Sequence, residues 1–598
     1  MDRNTFTGLF LIMIILGVSV FFMKPNEAEI KKEKERITAD SLKKAGVTPN
    51  TTETKQINAK PAVDSAALKG PFGASLAGNA QALTVENEKL KITFSNLGGK
   101  ITAVEVKGEK AYDGKPVILF EGDQNKFGLN LNIGGHIVNT NNLYFTATQT
   151  GNTVNMKASY ADGKDIEFAY TLQPNSYNVD FNINLNGLNQ VIQGNTVALN
   201  WESTLLEQEK DPKREQEHSA PYFKYVDKTP DHLNLRKDEK EELKEGKIEW
   251  ISFKQHFFSA VLMSNTPFEK GDLEVKILTE PGTIKWYGAN MQLPFNQLAA
   301  QNYGFKFYFG TNKFSTLKAQ GHELEKQVDL GYWPLKYINR FVVLPVFNLL
   351  ESFHWGYGLI ILVLTILLKL AMSPLTYKSY LSMAKMRILK PEMEEIKAKV
   401  GEDNPTLLQQ EYLKLYKQVG VNPLGGCLPM VLQLPFVMAF FFFFPNLFEL
   451  RGESFLWMKD LSTYDNFISF GFNIPLIGNH LSLMCLLMTI STLIYTYFNN
   501  QISGATGQMK YIGYIMPLIF FGVLNSYPSG LNYYYFLANM ITFLQQFIIR
   551  KMVNDDKIHA ILQENKTKPK TEKKKSGFQS RLEDYMRQQQ QAANQKKK

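Results

Sequence analysis

Lys369 sits in Leu364-Thr365-Ile366-Leu367-Leu368-Lys369-Leu370-Ala371-Met372, a stretch with no other charge. An ammonium in hydrocarbon costs several kcal/mol unless it finds a partner or water, with estimates from about 2.5 to 17 kcal/mol. Its chemistry there is electrostatic: a fixed positive charge that attracts an anion. The competing reading is snorkelling, because the residue lies close to the Pro374 end of the run and its stem could reach the interface. Thr365, one helical turn earlier, could line the same face. Gln433 carries an amide between Met430-Val431-Leu432 and Leu434-Pro435-Phe436; it wants water or a partner, or simply bonds a neighbouring helix. The last apolar run adds Asn532, Tyr533, Tyr534, Tyr535, Asn539, Gln545 and Gln546. The tyrosines near its outer end serve equally well as an aromatic belt, whereas Asn539 lies deeper. No acidic relay accompanies these groups, so the pattern suggests a wet cavity rather than an ion path.

Catalytic signatures are thin. The eight histidines are scattered, and H-E-x-x-H, P-loop and nucleophile-elbow motifs are missing from the sequence. Glu202, Glu207 and Asp231 could form the paired carboxylates of a sugar-cleaving sandwich, although carboxylates of a β-domain are mostly surface residues. Cys427 and Cys485 are too few for a disulfide framework or a metal site. The expectation is a protein that is not an enzyme and carries no cofactor and no metal.

The elements that must position these groups come in two kinds. The 598 residues hold 66 Lys+Arg against 57 Asp+Glu. Roughly the first 340 are mostly polar, and 341–550 contain repeated apolar runs. Residues 6–23 are uncharged and long enough for a helix of about 27 Å; with no small-x-small cleavage site after them, 1–23 reads as an uncleaved transmembrane anchor. Residues 24–80 have the composition of a flexible tether. From 81 to 330 the period becomes two, as in Leu90-Lys91-Ile92-Thr93-Phe94, with Gly/Asn/Asp turns between runs, which predicts an antiparallel β-sandwich. The charged stretch 205–246 reads as an exposed excursion.

Residues 331–354 mix Lys336, Arg340 and Glu351 with Phe and Leu and suit a helix lying on the membrane surface. Five spans follow within 355–550, near 355–375, 427–447, 480–498, 511–526 and 530–549, and a charged helical hairpin occupies 376–420. The predicted fold class is therefore an α+β membrane protein: a β-sandwich joined to a polytopic bundle of six spans. Orientation follows from short-loop Lys and Arg. The loop 376–425 carries eight (Lys378, Lys385, Arg387, Lys390, Lys397, Lys399, Lys414, Lys417), while 448–479 has only Arg451 and Lys459. The tail, 551–598, holds 13 Lys/Arg and 6 Asp/Glu, and so contributes +7 of the total +9. This places hairpin, tail and N-terminus in the cytoplasm and the β-domain outside. The basic cluster after residue 23 argues the other way for the first span alone, and parity with the other five outweighs it.

Several blocks resemble the YidC/Oxa/Alb membrane-insertase family. They are Lys385-Met386-Arg387, Tyr416-Lys417, Val421-Asn422-Pro423-Leu424-Gly425-Gly426-Cys427-Leu428-Pro429, Gln433-Leu434-Pro435 and Tyr527-Pro528-Ser529-Gly530-Leu531. Trp250-Ile251-Ser252-Phe253-Lys254-Gln255-His256-Phe257-Phe258 resembles the periplasmic domain of the Gram-negative branch, which is supersandwich-like. The resemblance implies an insertase and chaperone of the cell inner membrane, acting alone or with the Sec translocon on nascent membrane-protein clients. It implies a groove, open to cytoplasm and lipid, whose single positive charge attracts acidic client segments. The family usually has Arg there, and Lys369 holds the matching place; Thr365, Gln433, Tyr535 and Asn539 match further groove positions. The hairpin, with Lys385, Arg387, Lys390 and Glu411, would receive clients, and Phe440–Phe444 would offer a greasy surface for release to the lipid bilayer. Lys573, Lys574, Lys575, Lys596, Lys597 and Lys598 in the tail would contact the ribosome. The alternative is a polytopic transporter with a periplasmic binding domain, which would need paired intramembrane charges or inverted repeats. An anchored glycan-binding or glycan-modifying protein would rest on the β-domain alone.

Overall fold

The computed structural model describes residues 70–401, 405–421, 428–503 and 508–567. The expected N-terminal anchor, most of the tether, the Asn422–Cys427 block and the tail lysines 573–575 and 596–598 lie outside the described residues.

Two antiparallel sheets face each other. The nine-stranded sheet runs in the order Asp231–His232, Ala220–Tyr225, Ile248–Lys254, Phe258–Phe268, Gln301–Thr311, Asn178–Asn186, Lys164–Leu172, Thr153–Ala161 and Thr146–Thr150. The six-stranded sheet runs Glu239–Leu243, Lys270–Ile277, Thr283–Pro294, Thr196–Leu206, Lys126–Ile133 and His136–Asn139. Strict alternation builds it: along Thr196–Leu206 every second residue is buried, because successive side chains leave a strand on opposite faces. Aromatics from both sheets close the core, with Phe127 5.5 Å from Phe181 and Trp201 5.8 Å from Phe307. A four-stranded sheet spans Ala82 to Ile118. The predicted tether ends earlier than 80: Phe72 is fully buried and packs edge-on against Tyr160. One aromatic suffices to pin a segment whose average composition is polar.

The charged stretch 205–246 is corrected more strongly. It contains α1 (Pro212–Glu217), where Glu215 is buried, and the strand Ala220–Tyr225, buried at every position. Most charges between 227 and 245 are exposed, as expected, whereas several in 205–225 are matched by partners. Glu215 accepts backbone N–H bonds from Gln208 and Glu209, and Glu209 pairs with Arg451 at 2.6 Å. Arg451 belongs to the helical half, so this stretch is where the sandwich docks. His256 Nε2 donates to the Pro445 carbonyl at 2.8 Å, and the Arg214 guanidinium lies over the Tyr527 ring.

The helical half begins with α2 (Phe314–Gln320). Next come α3 (Leu335–Ile338) and α4 (Leu344–Glu351), joined by a π-helical turn at Asn339–Val343. Then follow α5 (Tyr357–Ala371), α6 (Ser373–Ile388), α7 (Lys390–Val400), α8 (Pro405–Val419), α9 (Leu428–Asn446), α10 (Leu483–Ser503), α11 (Gln508–Leu524), α12 (Ser529–Met552) and α13 (Asp555–Thr567). Among the described residues no single helix is long and apolar enough to cross a membrane; α5 and α6 together are, but bend by 58°. The reasons are local. The 15 residues of α5 rise only about 22 Å before Pro374 interrupts the ladder, and the 24-residue α12 is diluted by asparagines and glutamines.

Two readings of the apolar runs change. Phe440, Phe443 and Phe444 are fully buried, with Phe440 4.4 Å from Tyr534 and Phe443 5.8 Å from Phe347; they form core, not a release surface. Tyr533 and Tyr534 are buried too, so they are not a lipid-facing belt. Exposed apolar residues lie on several helices, among them Leu434 on α9, Leu518 on α11 and Leu544, Phe547 and Ile548 on α12. The charged hairpin has a core of its own. Tyr380, Leu389, Tyr416 and Val419 share a buried cluster with Ile558 and Leu562 of α13, a helix in the basic tail. Arg387 pairs with Asp555 at 2.7 Å and Lys566 with Glu392 at 2.6 Å.

Candidate functional site

The polar residues of the apolar helices meet along one side of α12. Positions 535, 539 and 542 fall at successive turns and so point the same way. Each ties α12 to a different helix. Tyr535 donates its hydroxyl to the Val437 carbonyl of α9 at 3.2 Å. Asn539 Nδ2 donates to Ser491 Oγ and Thr492 Oγ1 of α10, both at 2.9 Å. Thr542 Oγ1 accepts from Lys369 Nζ of α5 at 2.9 Å and gives its own proton to the Ala538 carbonyl. Gln545 adds a bond to the Lys369 backbone carbonyl at 3.0 Å.

Lys369 is 8% exposed, and among the described residues it has no carboxylate in ion-pair range. Its ammonium is turned sideways onto α12, a geometry different from a stem reaching for the interface. It has three donors and one protein acceptor, which leaves capacity for an anion or water. Thr365 is fully buried and bonds back to the Ile361 carbonyl of its own helix at 2.6 Å. Gln433, one turn before Val437, is half-buried and has no hydrogen bond to a described residue.

The ends of these helices nearer the β-sandwich are covered by the segment 447–482. A Cβ on Gly358 would lie 2.1 Å from the Phe455 ring, so only glycine lets this loop settle on α5. Asp465 accepts from the Trp457 indole at 3.0 Å, the Ser482 hydroxyl and the Met484 amide. Asn525, fully buried, donates to the Ile477 and His480 carbonyls and accepts from the Ser482 amide. At the other end, α6–α8 and α13 form the separate cluster described above. The structure does not bring the hairpin residues to the polar line. Arg387 is held by Asp555, Lys390 by Glu394 at 3.9 Å and Glu411 by Lys414, and Lys385 is half-buried.

Sequence reasoning missed Thr542, Ser491 and Thr492. A signal existed for Thr542, three residues from Asn539 and one turn before Gln545 and Gln546. The sugar-cleaving reading finds no support: Glu202 pairs with Lys126 at 3.1 Å in the six-stranded sheet, and Asp231 stands on the edge strand of the other sheet.

Two family models match the chain: the 60Kd inner membrane protein over residues 349–557 and the YidC periplasmic domain over 82–345. A membrane protein insertase YidC of Parabacteroides distasonis is 37% identical, covering 99% of this chain and 98% of that one. The chain belongs to the YidC membrane protein insertase family. A Phocaeicola vulgatus YidC is 38% identical over 92% of this chain and 91% of its own. An active YidC insertase crystal structure with its first transmembrane domain resolved is 18% identical; the match covers 78% of this chain and 92% of that one, with a TM-score of 0.33. YidC membership makes this an inner-membrane protein whose β-sandwich is its periplasmic domain, in a family of insertases and not of enzymes.

Proposed function

We propose that the chain inserts and folds inner-membrane proteins by receiving the hydrophilic part of a client along the polar line of α12, with Lys369 as its fixed charge. The observation that carries this reading is a buried ammonium bonded to one neutral hydroxyl, with no carboxylate beside it among the described residues. A client's polar flank must cross a core where unsatisfied backbone and charge are costly, and groups able to bind water or an anion shorten the dry path. The covered ends make the line one-sided. The exposed apolar residues of α9 and α12 then give the client a lipid-facing exit. A transporter would need a paired charge, which Lys369 lacks among the described residues.

Six spans complete the reading: residues 6–23, then α5 and α9–α12, with both termini and the hairpin 376–420 (α6–α8) in the cytoplasm. The short helices would span by local bilayer thinning, each ångström of mismatch costing a fraction of a kcal/mol. The sequence domains follow: anchor 1–23, tether, periplasmic β-domain to 330, interfacial helix 331–354, insertase core 355–550 and tail 551–598. The hairpin, with Lys385, Arg387, Lys390 and Glu411, receives clients, alone or beside the Sec translocon. The tail lysines 573–575 and 596–598 contact ribosomal RNA through counterion release.

The test is insertion of a client with an acidic translocated segment. Lys369→Arg retains insertion, Lys369→Ala lowers it several-fold and Lys369→Glu lowers it most, while a client with a neutral segment is less affected. Wild-type rates for the Ala and Glu variants would refute the charge role.

A further inference from the structure

Between α2 and the interfacial helix α3–α4 lies an open groove of about 660 Å³. Its floor is apolar, with Phe314 and Leu344 buried, and one rim is Phe341, which is 65% exposed. Its polar lining is the two cations Lys318 and Arg340 with the neutral Ser315 and Asn348. Arg340 has its guanidinium 5.8 Å from the Phe314 ring and 6.0 Å from the Phe341 ring, so it stands between the two rings inside the groove. Glu325 takes one of its donors through Nη2 at 3.0 Å. A guanidinium has five, so most of the fork remains for a second acceptor. Lys318 lies one helical turn beyond Phe314, is exposed, and has no ion-pair partner among the described residues. With Glu325 counted, the groove keeps a net charge of about +1.

We propose that this groove is a binding site for an anionic phospholipid of the periplasmic leaflet, its phosphodiester between Lys318 and Arg340 and an acyl chain along Phe341 and Leu344. The charge on the page fits one singly anionic headgroup. A zwitterionic lipid would bring its own ammonium to two cations. The groove also opens where lipid is expected, because the same helix exposes Tyr337, Val342, Leu349 and Phe353, with Trp333 and Trp355 at its ends. Such a row of aromatic and aliphatic side chains suits the headgroup boundary. The bound lipid anchors the seam between the periplasmic sandwich and the first helix of the membrane half. This inference rests on the interfacial placement of 331–354 given above, and the experiment separates the two.

The full chain, with Cys427 and Cys485 changed to Ala, is labelled with an environment-sensitive fluorophore at Ser315→Cys in the groove or at Leu349→Cys on the apolar row. It is then reconstituted into nanodiscs containing brominated lipid. Leu349→Cys is quenched to the same extent whether the bromine is on phosphatidylglycerol or phosphatidylcholine; no quenching there would overturn the interfacial placement. Ser315→Cys is quenched several-fold more by brominated phosphatidylglycerol at a low mole fraction than by brominated phosphatidylcholine. Lys318→Glu, at an exposed position that leaves the Arg340–Glu325 pair intact, abolishes that preference. Quenching at Leu349→Cys with no headgroup preference at Ser315→Cys, or a preference that survives Lys318→Glu, would refute the lipid site and leave the interfacial helix standing.

Discussion

At Lys369 the decisive contact is with a residue that carries no charge. A buried donor deprived of its acceptor costs about 1–3 kcal/mol, and more when the group is charged. Thr542→Val keeps the shape and removes the acceptor, so it lowers the thermal midpoint of the purified protein. Lys369→Met alone lowers it little, and Lys369→Met with Thr542→Val recovers most of the loss of the single valine variant. An unchanged midpoint for Thr542→Val would mean that the 2.9 Å bond is not made in the folded protein. That the apolar helices carry a lone lysine and a deep asparagine was legible from the sequence. Tyr535 read from the residues alone as part of an aromatic belt and came in only through the resemblance. The partner of Lys369 was not legible, because threonine is at home in any apolar helix and only three-dimensional packing selects Thr542 from the others. The aromatic runs misled for a related reason. Hydropathy cannot separate a phenylalanine facing lipid from one facing protein, and Phe440, Phe443 and Phe444 face protein.

Among the elements, the period-two strands and the helical character of 335–351 were readable in outline, while the pieces joining the halves were not. Charge suggested solvent for 205–246, yet α1 lies in the joint because its ions are answered by ions and carbonyls from elsewhere in the chain. That joint contains two stacked histidines, His218 and His256, 4.6 Å apart. Burial first, then the charges of Arg214, Lys254 and Arg236, push His218 down to about 3. Burial, His218, Lys254 and Arg214 also hold His256 well below its usual range, against the Pro445 carbonyl that favours its charged form. Between the ordinary histidine value of about 6.5 and the folded value, the unfolded chain binds protons that the folded chain does not. Stability contributed by these groups is therefore present above about pH 6.5 and lost as pH falls below it. The slope approaches about 1.4 kcal/mol per pH unit for each histidine. Burial raises the Glu215 carboxyl to about 8, which acts in the opposite sense over this range. The test is therefore the difference between proteins: His218→Gln loses less of its thermal midpoint between pH 7 and pH 5 than the wild type does. An equal drop in the variant would assign the acid sensitivity to other groups.

On the scale of the whole molecule, the sandwich is locked to the nearer ends of the helices through Glu209–Arg451, His256–Pro445 and Lys313–Glu351. The other end carries the hairpin with α13 packed on it. The only run of polar contacts linking α5, α9 and α10 through one helix, among the described residues, is the Tyr535–Asn539–Thr542 line. The account stands on a client passing along that line. Photo-crosslinking probes placed at Gln433, Thr542 and, as a lipid-facing control on α11, Leu518 test this with a ribosome-stalled client whose flank is acidic. The account predicts strong adducts from positions 433 and 542, weakened by Lys369→Glu, and background at 518. Equal adducts at all three positions, or none at 433 and 542 while insertion proceeds, would contradict it.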